Sequence, residues 1–176
     1  MKYIAFAVGI IAVAFYLLGY LQKKKQSILI LNLVSRLLYI LQYILLGAFS
    51  GAVLDVAGAI ATVVAGKKNS RFVQKYRKIV IAAVNVIIIG AGVYVMILTR
   101  DPFGVLPIIG VMFHTNAFWF DNEKTVRRLS MIGSPFWFAY NFLCGAYGSC
   151  IGDLLSMVSL GISMFRYDRK NKKEGD

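Results

Sequence analysis

The stretch IVIAAVNVIIIGAGVYVMIL (79–98) decides the fold class of this chain. It is twenty residues without a charge, and Asn85 is its one strongly polar side chain. A helix needs about 20 apolar residues to cross the hydrocarbon core of a bilayer. Backbone groups left unpaired in lipid are costly, so an apolar run of this length is expected to be helical. The surrounding composition agrees. Of 176 residues, 59% are hydrophobic and 16% charged, against about 45–50% and about 25% in soluble domains. A soluble globular domain, a disordered chain and a disulfide scaffold are excluded.

Working outward, six more apolar runs appear, at 3–21, 28–48, 52–66, 105–120, 129–147 and 148–165. The third and fifth are short, and Lys67 and Lys68 can snorkel to extend the third. Gly-rich segments at 47–51 and 145–148 supply turns between adjacent spans. The basic residues divide unevenly between alternate loops. Lys23 to Lys25, then Lys67, Lys68, Arg71, Lys75, Arg77 and Lys78, fall on one side. So do Lys124, Arg127 and Arg128, and the tail residues Arg166, Arg169, Lys170, Lys172 and Lys173. Lys2 and Arg100 alone fall on the other, and Arg36 lies inside a span. The positive-inside rule puts the rich side in the cytoplasm. The expectation is an all-α membrane protein with seven crossings, N-terminus outside and C-terminus inside. The net charge of +12 then reflects topology and attraction to anionic lipid headgroups, not nucleic acid. The first span is too long for a cleaved signal peptide, and its basic cluster follows it. Cys144 and Cys150 flank the outer turn between the last two spans. They are open to a disulfide or to close helix packing.

A shift of 98 residues lays 9–66 over 107–164 without a gap. Nine positions are identical, among them Gly47/Gly145, Ala48/Ala146 and Asp55/Asp153. The basic loops and glycine turns coincide as well. This predicts two parallel three-helix bundles joined by a linker helix. The units are 1–66, a basic loop and linker over 67–98, the second bundle over 99–165, and a basic tail over 166–176. Repeats of this kind place solute near mid-membrane at their interface. The pattern resembles the SWEET, PnuC and PQ-loop transporter group. More closely, the tract Leu106-Pro107-Ile108-Ile109-Gly110, the run from Phe136 to Phe142 followed by Gly145, and the ending Phe165-Arg166 resemble the YgjV-type bacterial inner-membrane proteins. The resemblance implies a multi-pass protein of the bacterial inner membrane. The Pro-Gln pair of PQ-loop proteins is absent, since Ile108 follows Pro107. Asp55 and Asp153 stand where SWEET carriers have paired asparagines.

Ionisable groups inside a span cost about 2.5–3.5 kcal/mol on insertion scales and usually face a cavity or interior. Arg36 and His114 each lie about ten residues from a span end, near mid-membrane at about 1.5 Å per residue. Tyr16 is the repeat mate of His114, and Tyr39 that of Trp137. A central layer of Tyr16, Arg36, Tyr39, His114 and Trp137 follows, with Asn116 below it and Asn141 above. One reading is a site for a small polar, even anionic, solute. Arg36 gives charge and a fork of donors, Tyr39 and Trp137 give ring faces, and the asparagines give donors and acceptors. The other reading is helix packing through the same groups. Asp55 and Asp153 read either as first-turn acids favoured by the helix dipole or as a carboxylate pair binding a cation or proton at an outer gate. Gly58, Thr62 and Gly66, the parallel row Ala57, Ala61 and Ala65, and Ser156, Ser159 and Ser163, read as close-packing positions. They are expected to wedge each third span inside its own bundle. Pro107 and Pro135 are expected to kink their helices.

No catalytic residues, metal ligands or cofactor motif are apparent. One histidine makes no cluster, and no phosphate-binding loop is present. The expected function is transport of a small-molecule solute by alternating access. The alternative is a receptor or accessory protein on the same scaffold.

Overall fold

The computed structural model describes residues 1–20 and 25–168, without the side chains of 19, 20, 25–29, 32, 167 and 168. The basic residues Lys23, Lys24, Arg169, Lys170, Lys172 and Lys173 lie outside the described residues, and the Lys25 side chain does too. The described chain is all helical: α1 (Lys2–Tyr20), α2 (Lys25–Leu46), α3 (Phe49–Gly66), α4 (Arg71–Lys75), α5 (Arg77–Thr99), α6 (Val105–Ala117), α7 (Glu123–Leu143) and α8 (Tyr147–Ser163). A π-turn, Met164–Asp168, ends it. Each apolar run of the sequence falls on one long helix, and short α4 occupies the basic loop. Phe49–Gly66, Arg77–Thr99 and Tyr147–Arg166 are long and apolar enough to cross a membrane. α6 has only 13 helical residues, about 20 Å at 1.5 Å per residue, which is short of a full hydrocarbon core.

The helices close into a ring. α1 packs along α2, α2 on α3, α3 on α6, α6 on α7, α7 on α8, and α8 back on α1. α5 lies outside, against α3 and α6. Only Ile88, Gly92 and Val95 of α5 are buried. Val86, Ile87, Tyr94 and Ile97 are each more than 60% exposed, an apolar outer face that suits lipid rather than water. The ring corrects the expectation that each third span is wedged in its own triplet. α3 packs on α2 of its own triplet and on α6 of the other, and α8 likewise on α7 and α1. The reason lies in the small residues themselves. With no Cβ at Gly58, Val111 of α6 reaches the α3 backbone. At the far side, Gly148 on α8 meets the backbone of Gly9 on α1.

Two turns have matching geometry. Gly47 and Gly145 adopt φ of 72° and 76°. The next residues, Ala48 and Ala146, cap α3 and α8 with φ, ψ of −85°, 62° and −80°, 56°. Ala48 N bonds Tyr43 O at 2.9 Å, and Ala146 N bonds Asn141 O at 2.8 Å. All these positions are 98 apart. At the opposite end, basic side chains tie the loops together. Lys68 Nζ donates to Phe118 O (3.3 Å) and Phe120 O (3.1 Å) and pairs with Asp121 at 2.6 Å. Arg77 donates to Trp119 O. These carbonyls at the end of α6 have no helical partner of their own. Lys68 also holds the exposed Asp121 carboxyl below its ordinary pKa, through hydrogen bond and charge. Pro135 lies inside α7. Pro107 sits in the first turn of α6, where a missing N–H breaks no helical bond, so it does not kink the helix as expected.

A left-handed backbone costs a residue with a Cβ about 1–2 kcal/mol. Gly47→Ala and Gly145→Ala should therefore each lower stability by about 1 kcal/mol, to a similar extent. Gly90→Ala, in mid-helix with open space around it, should raise stability instead. Thermal unfolding of the purified protein in detergent reads all three.

Candidate functional site: a polar cavity inside the helix ring

Inside the ring lies a cavity of about 990 Å³. Of the nine residues singled out in the sequence, eight line it: Tyr16, Arg36, Tyr39, Asp55, His114, Trp137, Asn141 and Asp153. Asn116 does not. Its side chain exchanges hydrogen bonds with Asn85 of α5, at 2.9 and 3.1 Å, and donates to Met112 O at 2.8 Å. It fastens the outer helix to the ring and is removed from the site.

Charges in the cavity come mostly in pairs. Arg36 Nη1 on α2 meets Asp55 Oδ1 on α3 at 2.6 Å. Asp55 is the seventh residue of α3, and Asp153 the seventh of α8, because both helices begin earlier than the apolar runs suggest. Neither acid is in a first turn, so the helix dipole does not account for them. Asp153 accepts from Asn141 Nδ2 at 2.7 Å. Asn141 Oδ1 in turn accepts from Tyr43 OH at 2.8 Å. Farther along, Arg127 pairs with Glu123 at 3.2 Å. His114 Nε2 contacts Ser130 O on α7 at 3.1 Å. A carbonyl only accepts, so Nε2 carries the proton and the ring ties α6 to α7. The site has an aromatic wall. Trp137 and Tyr43 stack with centroids 6.3 Å apart. Gly110 leaves room for the Trp137 indole against α6, and Gly152 for the Tyr39 hydroxyl against α8.

The cavity is closed at one end only. It reaches Glu123, whose side chain is 85% exposed, at the start of α7 beside the basic loops. Toward the glycine turns it stops at a layer of buried hydrogen bonds. Tyr43 meets Asn141, Gly51 N donates to Tyr140 OH at 3.0 Å, and Ser149 Oγ donates to Gln42 Oε1 at 2.7 Å. Under the 98-residue shift, the pair 42–149 becomes 140–51, and 43–141 maps onto itself. Tyr140 OH also donates to Asp101 Oδ2 at 3.3 Å. In the same layer Gln42 Nε2 and Ser50 Oγ are buried without a partner.

Several lining residues escape a reading of isolated charges. Ser149, Ser156, Ser159 and Ser163 face the cavity with Asp153, and Ser156 Oγ donates to Tyr16 OH at 3.2 Å. The signal was a polar stripe at three- and four-residue spacing down an apolar helix. Tyr43, 98 residues before Asn141, lines the cavity too, and an aromatic in an apolar run carries no signal of its own. Cys144 and Cys150 are free thiols, with Cys150 buried. Among the described residues no three His, Cys, Asp or Glu side chains are grouped to hold a metal ion.

A lipid-suited helix ring around a polar cavity defines a class: helical integral membrane proteins. The family model for bacterial inner membrane proteins of the Imp-YgjV type matches residues 3–171, and the chain belongs to that family. No curated protein and no solved structure matches it.

Interhelical hydrogen bonds in membranes average about 0.6 kcal/mol and reach about 1.7 kcal/mol. Asn85→Ala and Asn116→Ala should each cost about 1 kcal/mol, and the double variant less than their sum. Melting curves for the four proteins check this, and simple additivity would remove the pairing.

Proposed function

We propose that this chain is a seven-span carrier of a small polar solute, N-terminus outside and C-terminus inside. Its two triplets are related by an approximate twofold axis along the membrane normal, and it works by alternating access. One observation carries the reading: a charged cavity open toward the basic loops and sealed at the other end by hydrogen bonds that exchange under the 98-residue shift. A cavity accessible from one side, within an approximately symmetric ring, is what an inward-facing carrier requires. The helices are tied at the seal by few bonds. The buried Gln42 and Ser50 groups left without partners there lower the cost of opening it, because solvation would satisfy them. α6, short at 13 residues, gains length from the segment Phe118–Phe120 held by Lys68 and Arg77.

Reconstituted protein should take up its solute into proteoliposomes. Arg36→Ala, which strands Asp55, and Trp137→Ala, which removes a cavity wall, should each lower uptake by about tenfold or more. A fluorescent protein fused to the C-terminus should mature in the cytoplasm. No flux of sugars, nucleosides, vitamins or amines, together with a stable complex with another membrane protein, would favour the receptor alternative.

Ser50→Ala removes an unsatisfied buried hydroxyl from the seal. It should raise the unfolding midpoint while slowing uptake, because the closed layer becomes harder to part. A Ser50→Ala protein with a lowered midpoint and unchanged uptake would refute that account of the seal.

A further inference from the structure

The charges around the cavity do not cancel. Two guanidinium groups, Arg36 and Arg127, line it with three carboxylates, Asp55, Glu123 and Asp153. Arg36 is paired with Asp55 and Arg127 with Glu123. Asp153 makes its hydrogen bond to a neutral amide, Asn141 Nδ2, and among the described residues no Lys, Arg or His forms an ion pair with it. The His114 proton on Nε2 is directed at Ser130 O rather than at an acid. The cavity therefore holds one carboxylate in excess, at its closed end. Around that end stand the rings of Tyr39, Tyr43 and Trp137. Ring faces carry negative quadrupole density and attract cations, with organic ammonium groups the established case. The guanidinium that the sequence offers to an anion is already engaged by Asp55.

We propose that the cavity binds a small organic monocation. Its ammonium group sits against the Asp153 carboxylate and the aromatic wall of Tyr39, Tyr43 and Trp137. The charge is balanced on binding, since the Asp153 carboxylate gains a counter-ion that none of the described residues supplies. Ser149, Ser156 and Ser159, on the same face of α8, offer hydrogen bonds to polar groups elsewhere on the ligand. This rests on the reading of the cavity as a solute site, though it does not require flux across the membrane.

The test uses three probes of one shape. Choline is the cation, 3,3-dimethylbutan-1-ol its uncharged analogue, and 3,3-dimethylbutanoate an anion of similar bulk. Thermal unfolding of the purified full-length protein in detergent, at matched ionic strength, measures binding without transport. Choline should raise the midpoint with a saturable concentration dependence, and the other two should not. Asp153→Asn should weaken choline binding by about tenfold or more. The wild-type comparison decides the matter even if that variant unfolds. Equal stabilisation by the uncharged analogue, preference for the anion, no stabilisation by choline, or undiminished choline binding in a folded Asp153→Asn protein would each overturn the proposal. Saturable choline binding without uptake in proteoliposomes would sustain this inference while sinking the carrier reading.

Discussion

The hydrogen bond from Tyr43 OH to Asn141 Oδ1 is the contact on which the rest of the ring depends. In apolar surroundings an unpaired hydroxyl or amide is costly, so these two groups hold their helices at one separation and one height. α2 and α7 are thereby brought together at the level of the glycine turns. The flanking bonds, Gly51 to Tyr140 and Ser149 to Gln42, bring α3 and α8 to the same level. Those four helices meet at one end, and the cavity lies between them beyond that layer. A layer of short polar side chains is a specific closure, because each group has few alternative partners nearby. It is also a modest one, since hydrogen bonds inside membranes are worth little individually.

The two aspartates of the cavity sit in different surroundings. Asp55 and Asp153 are 98 residues apart, and each is the seventh residue of its helix. Arg36 answers Asp55, whereas the position equivalent to Arg36 is Ser134, which bonds back to Ser130 O. Asp153 is left with an amide. An ion pair in a partly buried site offsets most of its own desolvation cost, and a lone carboxylate does not. That imbalance is the most chemically specific property of the cavity.

Much of the candidate site was legible because charge inside an apolar run has few places to go. Arg36, Asp55, His114 and Asp153 stand out as costly residues, and all four turn into the ring, where Arg36 and Asp55 pair and His114 finds a carbonyl. Asn116 was misplaced because depth along a helix says nothing about azimuth. One side of α6 faces the cavity and another faces α5, and Asn85 settles which side Asn116 takes. Ser156, Ser159 and Ser163 suit close packing and a cavity wall equally in sequence, since a hydroxyl is small enough for either role, and they line the cavity. The acids were assigned to first turns because the apolar runs begin after the residues that start each helix. Phe49-Ser50-Gly51 and Tyr147 look like turn sequence, yet they are helical once Gly47 and Gly145 supply the left-handed step.

Composition and periodicity determined by themselves that this chain is helical and lipid-solvated, where its helices lie, and which polar residues must be sheltered. Those properties follow from local energetics: a backbone in lipid must bond to itself, and a charge there must be hidden. Which helices are neighbours was decided only in three dimensions. α3 against α6, and α8 against α1, are packing choices set by where small residues let another helix approach, and no one-dimensional pattern encodes the partner. The pairing of Arg36 with Asp55, and the isolation of Asp153 that follows, belong to that same tertiary decision.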